Sequence, residues 1–418
     1  MLTAISNAFR VPELRRKIIF TLAMIALYRL GAFIPVPGID PARVLAVINS
    51  SAALGLLGLF SGGALEKLAV FSLGIMPYIT SSIIMQLLQG VIPKVEAWAK
   101  EGESGQRKIT QITRYMTLGI ALLESIGLLA TFRAAMSGNA TMPLWVTQVV
   151  IVITLIAGTA FIMWMGELIT QHGIGNGMSL LIFASIVSRF PLAIAQSVTF
   201  GNGIFTGLLL IMTLFIIAAI VTMERAQRRI PVQYAKRVVG RRVYGGSGTY
   251  IPLKINGANV VPIIFASAIL FFPSQIALML PSVVWLQRTA NAMAKGPIYW
   301  VLDFALIMFF TYFYTALVFN PIDLSDNLRK NGGFIPGVRP GSATTRYIEN
   351  VLNRITLPGA IFLGVIAVIP NMMFYATNNQ LVQQFGGTSI LIMVGVALET
   401  MTQLESQLKM RHYDGFFK

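Results

Sequence analysis

Long apolar stretches, each about the 20 residues that cross a hydrocarbon core of roughly 30 Å as a helix, recur ten times along the chain. They lie near 18–36, 69–92, 115–132, 145–166, 178–195, 204–223, 258–280, 298–319, 355–375 and 388–404. Each is apolar on nearly every face, as suits helices packed among lipid and one another. The first continues to Ile34 and runs into Pro35-Val36-Pro37-Gly38 with no small-residue cleavage pattern, so it reads as a retained span rather than a leader. The pattern predicts an all-α polytopic membrane protein of ten transmembrane helices. Five spans fall in each half, 1–200 and 201–418. An odd number per half sets the halves in opposite orientations, which predicts two inverted five-helix halves around a central pore.

One segment breaks the rhythm. Residues 54–90 are too long for one span and too short for two with a turn. A short glycine-broken helix, Leu54-Gly55-Leu56-Leu57-Gly58-Leu59-Phe60-Ser61-Gly62-Gly63, followed by one full span, accounts for the length. Re-entrant backbone at membrane depth is tolerated only inside protein or beside water, so this piece predicts a cavity, the alternative being a surface helix lying on the outer interface.

Composition sharpens the picture. Hydrophobic residues are 55% and charged residues 11%, against about 45–50% and about 25% in soluble proteins. The mean hydropathy is +0.72. The formal charge is +16, and its placement matters more than its size. Of 32 Lys and Arg, 25 fall on the side of both termini, 6 fall on the other, and Arg29 lies within the first span. The richer side is therefore cytoplasmic. Its basic loops span about 224–257 and 320–354.

Candidate chemistry is sparse. There is no cysteine and there are two histidines, His172 and His412, and no cluster has metal-ligand spacing, so no metal or other cofactor is expected. Gly173-Ile174-Gly175-Asn176-Gly177 lacks a following Walker lysine and a preceding strand, and reads as a tight turn opening the fifth span. Ionisable residues in or beside spans are Arg29, Glu124, Glu167, Arg189, Asp303 and Glu399. Glu124 and Asp303 are the two that an ion-coupled, inverted-repeat carrier of a small solute would use; the rest read as snorkelling or capping groups. The loop from Glu224 to Asn256 carries eight basic residues and one acid, with Tyr234, Tyr244 and Tyr250 interleaved and Gly245-Gly246 at its tip. It reads as a docking platform for an acidic partner or for RNA, or as orientation bias with attraction to anionic lipid.

The order and spacing of several motifs make the chain resemble the SecY/Sec61α family of protein translocase channels over nearly its whole length. They are Arg29-Leu30-Gly31 through Ile34-Pro35-Val36-Pro37-Gly38, Leu73-Gly74-Ile75-Met76-Pro77-Tyr78-Ile79, Glu101-Gly102-Glu103-Ser104-Gly105, Met165-Gly166-Glu167 through Gly177, Tyr234-Ala235-Lys236-Arg237, Gly240-Arg241-Arg242-Val243-Tyr244, Phe334-Ile335-Pro336-Gly337-Val338-Arg339-Pro340-Gly341 and Gly386-Gly387-Thr388-Ser389. The resemblance implies a non-enzymatic hourglass channel that passes unfolded secretory chains and releases transmembrane segments sideways into lipid. It implies a constriction ring of Ile79, Ile83, Met178, Ile182, Ile264 and Ile392, with Met178 where the family usually has isoleucine. The re-entrant segment becomes a plug helix, about 54–65, represented by Leu54, Leu57, Phe60, Gly62, Gly63 and Leu65. The second span would pair with the seventh and eighth as a lateral gate. Arg229, Lys236, Arg237, Arg241, Arg242 and Arg339 would dock the SecA motor ATPase or the translating ribosome. SecE-type and SecG-type small membrane subunits, signal peptides, nascent chains and the lipid bilayer complete the implied partners, and the plasma membrane, with both termini cytoplasmic, is the implied location.

Overall fold

The computed structural model describes residues 9–40, 43–45, 48, 58, 61–132, 143–191, 194–195, 203–234, 237–239, 242–244, 249–279, 283–294, 296–377 and 386–414. Helices dominate. In the first half they are α1 (Pro12–Gly31), α2 (Met76–Val91), α3 (Pro93–Lys100), α4 (Glu103–Thr131), α5 (Leu144–His172) and α6 (Gly177–Val187). In the second half α7 (Gly203–Arg225) leads into strands β1 (Gln227–Tyr234), β2 (Arg237–Val239), β3 (Arg242–Tyr244) and β4 (Thr249–Lys254). Then follow α8 (Val261–Met279), α9 (Val284–Ala294), α10 (Pro297–Val318), α11 (Pro321–Lys330), strand β5 (Gly333–Phe334), α12 (Ser342–Thr377) and α13 (Gly387–Asp414). Five helical stretches among the described residues are long and apolar enough to cross a membrane: Glu103–Thr131, Leu144–His172, Pro297–Lys330, Ser342–Met372 and Gly387–Met410.

Element starts follow local chemistry. Proline occupies the first turn of α1, α2, α3, α10 and α11, where its missing N–H leaves no bond unmade. Asn176 caps α6, its side-chain oxygen accepting from the amides of Met178 (3.0 Å) and Ser179 (3.3 Å). Two predicted spans have different helix bounds. The first, expected over 18–36, ends at Gly31 because residues 34–36 leave the helix to pair with another segment: Pro35 bridges Ala69, the Val36 amide donates to the Leu68 carbonyl and the Val70 amide to the Ile34 carbonyl, both at 2.9 Å. The second, expected over 69–92, begins as a helix only at Met76 for the same reason.

The all-α expectation needs correcting at the basic loop. β1 pairs antiparallel with β4 from Gln227↔Lys254 to Val232↔Thr249, and β5 adds to its other side at Gln233↔Phe334 and Tyr234↔Gly333. β2 and β3 form a separate ribbon with Arg237 opposite Tyr244. Ile230 and Val232 alternate inward and pack with Leu253, Leu328, Ile335, Ile348 and Leu352, a small second core apart from the main one.

The main core is continuous across both halves. α8 packs on α2 and α4 of the first half as well as on α10, and α13 packs on α6, so two seams join the halves. α10 lies against α8 and α12. The expected packing of the second span on the seventh is present, the third span packs on the seventh as well, and Tyr314 of the eighth lines one cavity with Tyr78 and Ile79 of the second.

Candidate functional site

Helices from both halves line one cavity of mixed polar and apolar character. Ile79 and Ile83 are four residues apart on α2, Met178 and Ile182 four apart on α6, so each pair shares a face. α8 contributes Ile264 and α13 Ile392. Ile79, Met178, Ile182 and Ile264 line one cavity of about 370 Å³, with Tyr78 and Phe265 beside them. Ile83 and Ile392 are buried in the same core, Met178 packing against it. Met178 sits on Gly166 of α5, where any side chain would collide with its sulfur.

One wall of the cavity is polar. The Arg114 guanidinium on α4 grips the Glu167 carboxylate on α5 through two parallel bonds of 2.7 and 2.6 Å. Glu124 and Asp303 are not among the residues that line this cavity. Glu124 instead accepts from Gln275 on α8. Asp303 is fully buried in α10, and its two oxygens have no partner among the described residues.

Of the re-entrant segment, Leu54, Leu57 and Phe60 lie outside the described residues. Gly62 and Gly63 are described, with φ of +62° and +90°, values that favour glycine. Leu65 is fully buried and donates its amide to the Ser61 hydroxyl oxygen at 3.2 Å. Two arginines tie this segment to its walls: Arg29 of α1 donates to the Gly62 carbonyl at 2.9 Å, and Arg189, just beyond α6, pairs with Glu66 at 2.7 Å. Sequence reasoning read both arginines as snorkelling or capping groups and did not single out Glu66. The missed signal was an acid in the re-entrant piece facing two cations in flanking spans.

The sheet gathers part of the basic surface. Arg229 is exposed on β1, its guanidinium 4.7 Å from the centre of the Tyr250 ring on β4. Arg339 is exposed in the loop after β5, where its carbonyl accepts from Thr344 at 2.9 Å. Because β5 pairs with β1, both arginines belong to one folded unit. Arg237 and Arg242 stand in β2 and β3. Lys236 and Arg241 lie outside the described residues. No group of three or more His, Cys, Asp or Glu is placed to hold a metal among the described residues.

Comparisons with known proteins agree with this geometry. The SecY family model matches residues 69–401. The protein translocase subunit SecY of Streptomyces galbus is 48% identical over 437 residues, covering 100% of both chains. That of Mycobacterium tuberculosis (strain ATCC 25618 / H37Rv) is 48% identical over 445 residues with the same coverage. A solved SecY structure, described as one whose plug domain stabilises the closed state of the translocation channel, superposes with a TM-score of 0.68 at 17% identity, covering 96% of each chain. Sec61 in the canine ribosome-channel complex gives a TM-score of 0.60 at 17% identity and the same coverage. The full-length likeness in sequence and the shared fold together place this membrane protein: the chain belongs to the SecY family.

Proposed function

We propose that this chain is the protein-conducting channel subunit of a translocase, passing unfolded secretory polypeptides across the membrane and releasing transmembrane segments into lipid. What supports the reading is that Ile79, Met178, Ile182 and Ile264, from α2, α6 and α8, line one cavity between the halves. A cargo of varied chemistry needs a seal without specific ligands, and a waist built this way supplies one. Ile83 and Ile392 complete the proposed ring.

In this reading ten spans form two inverted halves, 1–200 and 201–418, and residues 54–65 are the plug. α8 against α2 and α4 is the seam that parts. A sufficiently apolar segment at that seam gains free energy by leaving water for lipid. The chain contributes no catalysis; work comes from a SecA-type motor ATPase or from chain elongation on the ribosome. Arg229, Lys236, Arg237, Arg241, Arg242 and Arg339 supply positive charge for acidic protein surfaces or RNA phosphate. SecE-type and SecG-type subunits accompany it in the plasma membrane, with both termini cytoplasmic.

The test is transport of a signal-bearing precursor into liposomes holding this chain and a SecE-type subunit. Full-length, protease-protected precursor that appears only with motor and ATP is the expected result. No protection, with assembly and motor activity verified, overturns the reading.

A further inference from the structure

Beyond the waist, the end of α1, the residues just after α6 and the 61–68 segment enclose a second cavity of about 200 Å³. We propose that this cavity is a binding site for an oxyanion of phosphate chemistry, either free phosphate or a phospholipid headgroup.

The charge count comes first. Three cationic side chains, Arg29, Lys67 and Arg189, line the cavity, and Glu66 is the one carboxylate among its described lining residues. Two of the cations share one aromatic ring: the Lys67 ammonium lies 4.0 Å from the Phe33 ring centre and the Arg29 guanidinium carbon 5.4 Å from it. Like charges held this close in a partly enclosed space repel, and an anion between them removes the repulsion.

Donor geometry agrees. Arg189 pairs with Glu66 through Nη2, while its Nε–H is buried and has no partner among the described residues. A guanidinium presents its N–H groups as a planar fork that matches phosphate oxygens, and a lysine adds a point charge. Gly62 and Gly63 line the cavity without side chains, which leaves Glu66 and Lys67 as the segment's side chains there. At about 30 Å³ per water, the space holds an oxyanion with several waters.

The walls and floor belong to different parts of the chain. An anion held by Arg29, Arg189 and Lys67 together therefore adds a third tie to the two that already fix the 61–68 segment. That last consequence rests on the plug reading; binding itself does not.

The test uses the full chain in uncharged detergent, with thermal unfolding followed as inorganic phosphate replaces gluconate at constant ionic strength. Lys67→Gln removes a cation yet keeps both the Arg29–Gly62 and Arg189–Glu66 ties, so it reports on the anion without breaking the segment's anchorage. A saturable rise in the unfolding midpoint is expected for the native chain. In Lys67→Gln the phosphate concentration for half the rise is expected to increase at least five-fold. A parallel arm compares nanodiscs of phosphatidylcholine with and without phosphatidylglycerol. A response to phosphate that phosphatidylglycerol suppresses identifies a headgroup site, and one it leaves untouched identifies a free anion. No response to either, or equal responses in the native chain and Lys67→Gln, overturns the proposal. Resting bilayer conductance with and without phosphate addresses the plug separately: binding without a fall in conductance overturns only the third-tie consequence.

Discussion

The Gln275 side-chain amide on α8 donates a 2.9 Å hydrogen bond to the Glu124 carboxylate on α4, joining residues 151 apart in sequence across the seam between the halves. A polar tie in an apolar seam favours contact between the two helices, yet it also offers water partners when they separate. Interhelical bonds of this kind contribute about 0.5–2 kcal/mol in membranes.

Replacing both residues with leucine makes the seam uniformly apolar and leaves no orphan group. Opening it then exposes only hydrocarbon, so the double variant is expected to admit fewer weakly hydrophobic signal segments while strongly hydrophobic ones still insert. Insertion measured over a graded Leu/Ala series checks this; an unshifted threshold removes the pair from gating. Gln275→Leu alone, which strands a buried carboxylate, is expected to be less stable than the double variant.

At the waist, Ile83→Gly and Ile264→Gly each remove a buried aliphatic group from the proposed seal. Both are expected to raise resting ion conductance in planar bilayers, with a larger rise in the double variant. Conductance indistinguishable from the native channel in all three sinks the ring as assigned.

The Arg114–Glu167 fork joins α4 to α5 on the polar wall of the cavity. Glu167 is 16% exposed and Arg114 44%, so solvent screens part of the attraction. Arg114→Lys keeps the charge and loses the planar fork. A double-mutant cycle on thermal stability is expected to give a coupling of about 0.5–1 kcal/mol, with lysine recovering less than half of it.

Charge reversal on the sheet unit addresses docking. Arg339 is exposed and its side chain anchors no core, so Arg339→Glu is expected to leave folding and insertion intact while lowering motor-driven transport several-fold. The defect is expected to narrow at high salt, where the native chain also loses electrostatic attraction. Normal transport by Arg339→Glu and Arg229→Glu takes both from the docking surface.

Gly177, the first residue of α6, meets Gly166 of α5 so closely that a Cβ there would collide with the Gly166 carbonyl oxygen. Gly177→Ala is expected to destabilise by about 1–3 kcal/mol through overpacking. Gly207→Ala on α7, where nothing lies within 4 Å, serves as the control and is expected to be neutral or slightly stabilising. Equal behaviour of the two variants in thermal unfolding contradicts the close approach.

Hydropathy located the helices because lipid solvation demands long apolar stretches whatever the detailed packing. It misjudged the ends where apolar residues leave the helix: Phe33 and Ile34 are as hydrophobic as any span, but the chain there pairs with 68–70 instead of continuing. The sheet was hidden for the opposite reason. Ile230 and Val232 alternate correctly for a strand, yet the surrounding charge and the long separation of β1 from β5 drew attention to a loop. The ring assignment came only from family likeness, since spans apolar on every face carry no periodicity to single out Ile79 or Ile182. The arginine ties escaped because a cation near a helix end has a simpler local reading than a partner 33 or 123 residues away.

The short ladder that joins residues 34–36 to 68–70 makes Leu68, at a φ of +40°, a fixed mooring for the segment before it. Six Cα-to-Cα steps separate Gly62 from that mooring, and fully extended they reach roughly 20 Å. On the plug reading proposed above, that leash keeps Gly62 tethered near Arg29 and Arg189 when the segment is displaced. Reseating is then an intramolecular capture at the high effective concentration of a short tether, by recoil instead of by search.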